Sequence, residues 1–258
     1  MGEKKNALKV REVELGMKTV NYVLDVPLRK NYKIALLADM HSKVNPRILP
    51  MLQSNNPDMI CIAGDLCNTS LSESPKVRDF LKEIVGIAPT FFSFGNHDYL
   101  LNRRDIEKIE KMGVTVLNDS FVRFNEEIVI GGMTSYFYHK CEKYDPKIPM
   151  ALFPEVAWLD EFENQEGYKI LLDHHPDNYD PYTKKRNIDL ILSGHAHGGQ
   201  IRLFGKGLYG KSQGFLPKYD GGVFDQKLVV SRGLSNTLPI PRLWNPTEIV
   251  FIEIKGEK

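Results

Sequence analysis

The sequence predicts an α/β protein built in layers, and three observations carry that prediction. The first is a set of short, nearly continuous apolar runs: KIALLAD (33–39), DMICIAGD (58–65) and TFFSFGNHD (90–98). Runs of that length and continuity suit strands covered on both faces. The second is a pair of amphipathic segments, PKVRDFLKEIVGI (75–87) and RRDIEKIEKMGV (103–114), the latter stopped at Gly113. The third is their alternation, strand then helix, which is the pattern of βαβ units in a layered fold.

The remaining elements follow in order. LKVREVEL and KTVNYVLDV, within residues 7–26, alternate apolar with polar and predict two half-exposed strands joined as a hairpin at Gly16. Beyond residue 113 the chain keeps its strands and loses most of its helix. VTVLND, SFVRFN and EEIVIGGM read as strands, PEVAWLDEFEN as a helix, and YKILLDHH, IDLILSGHAH, KLVVSRGL and TEIVFIEI as strands again. Residues 204–226, rich in Gly and Lys with aromatics between, read as a surface loop because strands flank them. No internal repeat or low-complexity tract divides the chain, so one domain over 1–258 is expected.

Bulk properties exclude several classes. A formal net charge of +1 gives no reason to expect specific nucleic-acid binding. The cysteines, Cys61, Cys67 and Cys141, are odd in number and contain no CxxC pair, which argues against both a disulfide framework and a thiolate zinc site. No apolar run approaches the roughly 20 residues needed to span a bilayer, and MGEKKNALKVREVEL lacks the apolar stretch of a signal peptide. A cytoplasmic or membrane-peripheral location, with possible peripheral membrane contact, is the corresponding expectation.

Polar clusters sit at the ends of five predicted strands. LLADMH ends in Asp39 and His41, CIAGD in Asp65, and FSFGNHD in Asn96, His97 and Asp98. LLDHHP presents His174 and His175, and LSGHAH presents His195 and His197. In open α/β sheets ligands gather beyond the carboxyl ends of strands, so all five clusters can meet in one cleft. Six of the seven histidines lie in these clusters; His139 alone stands outside and reads as a loop residue. Taken singly, each motif has an ordinary reading as an Asn/Asp-rich turn. Together they form a carboxylate, imidazole and carboxamide set without thiolate, which suits Mn, Fe, Zn or Ni better than Ca or Cu(I). The donors outnumber the needs of one tetrahedral ion, and a carboxylate such as Asp65 can bridge two.

The ordered series Asp39-x-His41, Gly64-Asp65, Gly95-Asn96-His97-Asp98, His174-x-Pro176 and Gly194-His195-x-His197 resembles the calcineurin-like metallophosphoesterase superfamily. GHAHGGQIRL, VVSRGL, WNPTEIVFIEI and KMGVTVLNDS are similar to its bacterial YkuE/YaeI-like branch. The resemblance implies a sandwich of two mixed β-sheets flanked by helices. It implies one metal on Asp39, His41, Asp65 and His197 and a second on Asp65, Asn96, His174 and His195, with His174 preferred to His175 by its spacing to proline. A hydroxide bridging the two ions would attack phosphorus in line, while His97 contacts a phosphoryl oxygen or protonates the leaving group and Asp98 orients His97. The implied activity is a phosphodiesterase or pyrophosphatase, acting in some relatives on a nucleotide-linked lipid. A phosphomonoesterase on a small metabolite and a non-catalytic metal-binding scaffold are the competing readings.

Other features point less sharply. GKGLYG (205–210) matches a dinucleotide fingerprint in letters only, since no helix follows it. Tyr99, Arg103 with its neighbour Arg104, and Arg202 are candidate substrate contacts. Lys206, Lys211 and Lys218, with Phe204, Tyr209 and Phe215, are candidates to line the substrate side of the cleft, and an exposed loop explains them equally. Cys67 reads as a small packing residue.

Overall fold

The computed structural model describes residues 16–135 and 154–256. Two six-stranded mixed sheets lie face to face. The first contains β1 (Lys18–Val26), β2 (Tyr32–Leu37), β3 (Met59–Ala63), β4 (Thr90–Ser93), β5 (Val114–Leu117) and the last strand, β16 (Glu248–Gly256), in the order β1-β16-β2-β3-β4-β5. The second contains β6 (Ser120–Arg123), β7 (Ile128–Met133), β8 (Tyr168–Asp173), β9 (Leu190–Ser193), β14 (Gly222–Phe224) and β15 (Leu228–Val230), in the order β14-β15-β9-β8-β7-β6. Between β9 and β14 run four two-residue strands: β10 (Arg202–Leu203) pairs with β11 (Lys206–Gly207), and β12 (Tyr209–Gly210) with β13 (Gly214–Phe215).

Alternation along the strands builds the layers. In β2, Ile34 and Leu36 enter the core between the sheets, while Ala35 and Leu37 face the helices α1 (Ile48–Asn55), α2 (Pro75–Ile84) and α3 (Arg103–Lys111). In β8, Ile170 and Leu172 meet the same central core, and Leu171 turns outward to Leu159 and Phe162 of α4 (Leu159–Glu163). The double coverage explains why these strands read as continuous apolar runs. Pro75 occupies the first turn of α2, where its missing N–H costs nothing, and Asn102 caps α3 by accepting from Asp105 N at 3.1 Å.

One expected element is described only in part, and another comes out shorter. KTVNYVLDV forms β1, but its described neighbour is β16, in parallel register with Lys18 opposite Glu248. The other arm of the expected hairpin lies outside the described residues, as do His139 and Cys141. The helix expected over PEVAWLDEFEN shrinks to the five residues of α4, preceded by a turn. Among the described residues no helix is long and apolar enough to cross a membrane.

Candidate metal centre

Strands β2, β3 and β4 are mutually parallel, as are β7, β8, β9 and β15, so their carboxyl ends collect along one edge of the sandwich. Each end supplies part of the centre: Asp39 and His41 after β2, Asp65 after β3, Asn96 and His97 after β4, His174 after β8, His195 and His197 after β9. The chain leaves three of these strands, β2, β3 and β9, sharply. Asp39, His41, Asp65, His195 and His197 all hold left-handed backbone, with φ of 56°, 50°, 54°, 66° and 46°. Each such conformation costs an ordinary residue about 1 kcal/mol or more. The carboxylates rest on bare backbone: a side-chain carbon at Gly95 would collide with Asp65 Oδ1, and one at Gly194 would stand 2.7 Å from Asp39 Oδ2.

Three groups of donors converge within 4.8 Å of one another: Asp39, His41 and His197; His41, Asp65 and His97; and Asp65, His174 and His195. The linked groups are consistent with a binuclear metal site. Asp39, His41, Asp65, His174 and His195 are buried, whereas His97 and His197 are partly open.

Hydrogen bonds around the ring set the donors. His41 Nδ1 lies 2.7 Å from Asn68 Oδ1 and His174 Nδ1 lies 2.8 Å from the Ala63 carbonyl, so both rings donate outward and aim Nε2 inward. His174 Nε2 meets Asp65 Oδ2 at 3.2 Å and His195 Nδ1 at 3.3 Å. Burial alone would favour neutral His174; the Asp65 and Asp39 charges overcome it and push the imidazole up to about 10. Burial likewise opposes ionised Asp39, yet His197 and His174 hold its carboxyl down at about 2. Burial wins at His41, which falls to about 4 despite Asp65 and Asp39. In the metal-free protein a proton on His174 therefore offsets the charge that a cation offsets when bound.

Asn96 supplies the most direct sign of a missing partner. It is buried, and its Oδ1 has no hydrogen-bond partner among the described residues. An unmet buried oxygen costs about 1–3 kcal/mol. Together with inward-facing imidazoles and carboxylates, it fits a cation.

Asp98 corrects the expectation made for it. Its Oδ2 accepts from the backbone N–H groups of Asp65 and Gly95, both at 2.8 Å, and its Oδ1 accepts from that of Cys67 at 3.0 Å. Both oxygens thus receive backbone N–H groups, and the carboxylate ties the β3 and β4 turns together; among the described residues it makes no hydrogen bond to the His97 ring. Burial and the Asp65 charge raise it to about 7. His97 instead donates its backbone N–H to Asp65 Oδ1 at 2.7 Å, and its Nε2 stands 3.1 Å from Lys211 Nζ.

The candidate substrate residues separate. Arg103 extends into solvent, with its side chain 93% exposed, and pairs with Glu107 at 3.2 Å. Arg202 is buried, its guanidinium donating to the carbonyls of Gly198, Gly205 and Asp220 and facing Asp220 Oδ2 at 3.3 Å. It holds the loop together and is not presented to a ligand. Tyr99 is partly buried in the 3-10 turn after His97. His175 packs against His195, ring centroids 4.2 Å apart, and its Nε2 meets Ser135 Oγ at 2.9 Å; His174, not His175, belongs to the converging donor groups. Cys67 packs in the core as expected.

Asn68 and Arg242 were not among the expected residues. Arg242 donates to His197 Nδ1 at 2.8 Å. An arginine cannot accept, so the ring proton of His197 sits on Nε2, facing His41 Nε2 at 3.2 Å. Ligation through Nε2 requires that proton to leave or Arg242 to let go. A lone asparagine or arginine in a loop carries no motif that would have singled it out.

Two sheets with a carboxylate–imidazole centre at their carboxyl edge define the class, a metallophosphoesterase. The calcineurin-like phosphoesterase family matches residues 32–199, and the chain belongs to that family of metal-dependent hydrolases. It is 29% identical to the uncharacterized metallophosphoesterase Cj0846 of Campylobacter jejuni, over 98% of this chain and 66% of that protein. It is 24% identical to an uncharacterized metallophosphoesterase of Aquifex aeolicus, over 90% of this chain and 88% of that protein. A transmembrane protein with a metallophosphoesterase domain from Danio rerio is 27% identical over 69% of this chain and 44% of its own length. The chain thus spans only part of several relatives. Among solved structures, sulfate thiohydrolase SoxB aligns with a TM-score of 0.44 and 14% identity, over 67% of this chain and 49% of that one.

Proposed function

We propose that the centre binds two transition-metal cations and hydrolyses a phosphodiester or pyrophosphate bond. One cation is assigned to Asp39, His41, Asp65 and His197, and the other to Asp65, Asn96, His174 and His195. The observation that carries the assignment is the orphaned Asn96 Oδ1 beside the buried Asp65, His174 and His195 group. Oxygen and nitrogen donors without thiolate suit Mn, Fe, Zn or Ni. Bound there, the cations supply an acidified water and neutralise charge at phosphorus.

The protein's own groups handle the rest. His97, partly open at the mouth of the cleft, is assigned to hydrogen-bond a phosphoryl oxygen or protonate the leaving group. Lys211 adds a positive charge beside it. A second cationic group supports an ester with a second negative group, either the flanking ester of a diester or the next phosphate of a pyrophosphate. The exposed Tyr209 and Phe215 on the 204–226 stretch, and the likeness to the YkuE/YaeI-like branch, support a substrate with an apolar part, such as a nucleotide-linked lipid.

The test is to remove metal, refill the protein with Mn, Fe, Zn or Ni separately, count ions per chain, and compare bis-p-nitrophenyl phosphate with p-nitrophenyl phosphate. The expected result is two ions and preference for the diester, with turnover abolished in Asp65→Asn. One ion per chain, or turnover retained by that variant, refutes the two-cation assignment; preference for the monoester refutes the substrate class.

A further inference from the structure

The described surface has an uneven distribution of large apolar side chains. Of the ten most exposed, nine fall in 203–244: Leu203, Phe204, Tyr209, Phe215, Leu216, Leu238, Ile240, Leu243 and Trp244. Two loops carry them, and backbone contacts join those loops: Arg202 N donates to Leu243 O at 3.0 Å, and Ile201 bridges Leu243. The joined loops border the centre, because Asn245 holds the His197 carbonyl and Arg242 holds its ring.

Exposure coincides with backbone strain. Phe204, Leu216 and Trp244 are 104%, 56% and 74% exposed, and all three have left-handed backbone, with φ of 50°, 53° and 52°. For a bulky residue that conformation is a true outlier. Each side chain therefore bears a backbone cost of about 1 kcal/mol or more and stays largely in solvent. Phe204 sits at the tip of the β10–β11 hairpin, clear of its own protein.

The charge around the tips has one sign. Residues 200–219 contain Lys206, Lys211 and Lys218 and no carboxylate, and residues 233–247 contain none either, in a chain of net charge +1. Neighbouring elements answer in part: Asp180 pairs with Lys218 at 2.6 Å, and Asp177 accepts from Ser212 at 2.9 Å. Lys206 and Lys211 have no carboxylate partner among the described residues.

We propose that this rim docks on an anionic lipid bilayer, with Phe204, Leu216 and Trp244 entering the headgroup region and Lys206 and Lys211 meeting its charge. Aromatic and aliphatic tips with adjacent lysines are suited to that layer, where apolar insertion and attraction to acidic lipids add. The centre then opens beside the membrane surface. The inference does not depend on which ester is cleaved.

Vesicle co-sedimentation tests it, with phosphatidylcholine alone and phosphatidylcholine containing phosphatidylglycerol. The protein is expected to sediment with the acidic vesicles, less with the neutral ones, and less as salt rises. Phe204→Ser combined with Trp244→Ser is expected to weaken binding about tenfold or more, and Lys206→Gln about fivefold, as for one lysine near an anionic surface. In a Trp158→Phe background Trp244 is the sole tryptophan, and its emission should shift to the blue on acidic vesicles. Turnover of a water-soluble ester should stay unchanged in Phe204→Ser/Trp244→Ser, which separates failure of docking from failure of the hydrolase assignment. Absence of vesicle binding, or binding equal in the double variant, overturns the proposal. So does a vesicle-independent dimer seen by light scattering that the double variant dissolves, since a second copy would then be the occupant.

Discussion

Replacing Asp98 tests the reassignment of its role most directly. In Asp98→Ala three backbone N–H groups, those of Asp65, Cys67 and Gly95, lose their acceptor inside a buried turn. At about 1–3 kcal/mol for each stranded donor, the loss is about 3–9 kcal/mol, comparable with the whole stability of a domain. Asp98→Asn is the better probe. Its single carbonyl oxygen can keep the Asp65 and Gly95 bonds, while the amide turns a donor toward Cys67 N–H, for a net cost of about 1–3 kcal/mol. Urea unfolding of metal-loaded and metal-free protein measures that cost, with kcat/KM and metal content read on the same samples. The expected outcome is a lowered midpoint together with weakened metal retention, because the turns carrying Asp65 and Asn96 loosen. An unchanged midpoint and full metal content, with turnover reduced as far as in His97→Ala, would falsify the tie and restore the orienting role.

Other consequences are measurable. His97→Ala should retain both ions and lose about 10²–10⁴ in kcat; loss of an ion would make His97 a ligand, as its place in the middle donor group allows. Metal loading should displace the His174 proton, held up to about 10 by Asp65 and Asp39 against burial. Calorimetry in buffers of different ionisation enthalpy should therefore show proton release on binding near neutral pH, and no release refutes the assignment. Above about pH 7.5, where His41, His175 and His195, all lowered by burial, are neutral in the folded and unfolded chain alike, the metal-free protein should lose stability as pH rises. His174, raised in the folded state, stabilises fully below its unfolded value near 6.5 and ceases to do so as pH passes about 10. Asp98 and Asp173, raised by burial to about 7 and about 8, keep protons that the unfolded chain has released, so they act in the same direction from about pH 4 upward. A melting temperature of the metal-free protein that is flat or rising between pH 7.5 and 9 contradicts this. Lys211→Ala should raise KM for a diester more than for a monoester; equal effects remove the support Lys211 gives to the diester reading.

The candidate metal donors were readable because each follows a strand buried on both faces, and such strands announce themselves as apolar runs. Asp39, Asp65, Asn96, His174, His195 and His197 meet for the same reason: parallel strands end together. The functions of neighbouring polar residues were harder to read. Asp98 sits one residue from His97, and nothing in the letters distinguishes a carboxylate that faces an imidazole from one that gathers backbone N–H groups. Arg202 and Arg103 show the same limit, since the direction of a loop side chain depends on tertiary contacts such as Asp220 and Glu107. The pairing of β1 with β16 joins opposite ends of the chain, a long-range parallel register that local alternation cannot encode. Arg242 reaches His197 from a loop 45 residues away, and spacing carries no trace of it.

The left-handed backbone at Asp39, His41, Asp65, His195 and His197 has a consequence for how this protein could change over generations. At each position glycine would relax the main chain by about 1 kcal/mol, and it would also remove a charge or an imidazole from the interior. A lineage released from selection for hydrolysis would recover that backbone cost at the histidines, whereas at Asp39 and Asp65 it would also strand the N–H groups of His195 and His97. The signature of a relative that has abandoned catalysis is accordingly glycine or asparagine first at the histidine turns, with the two aspartates outlasting them.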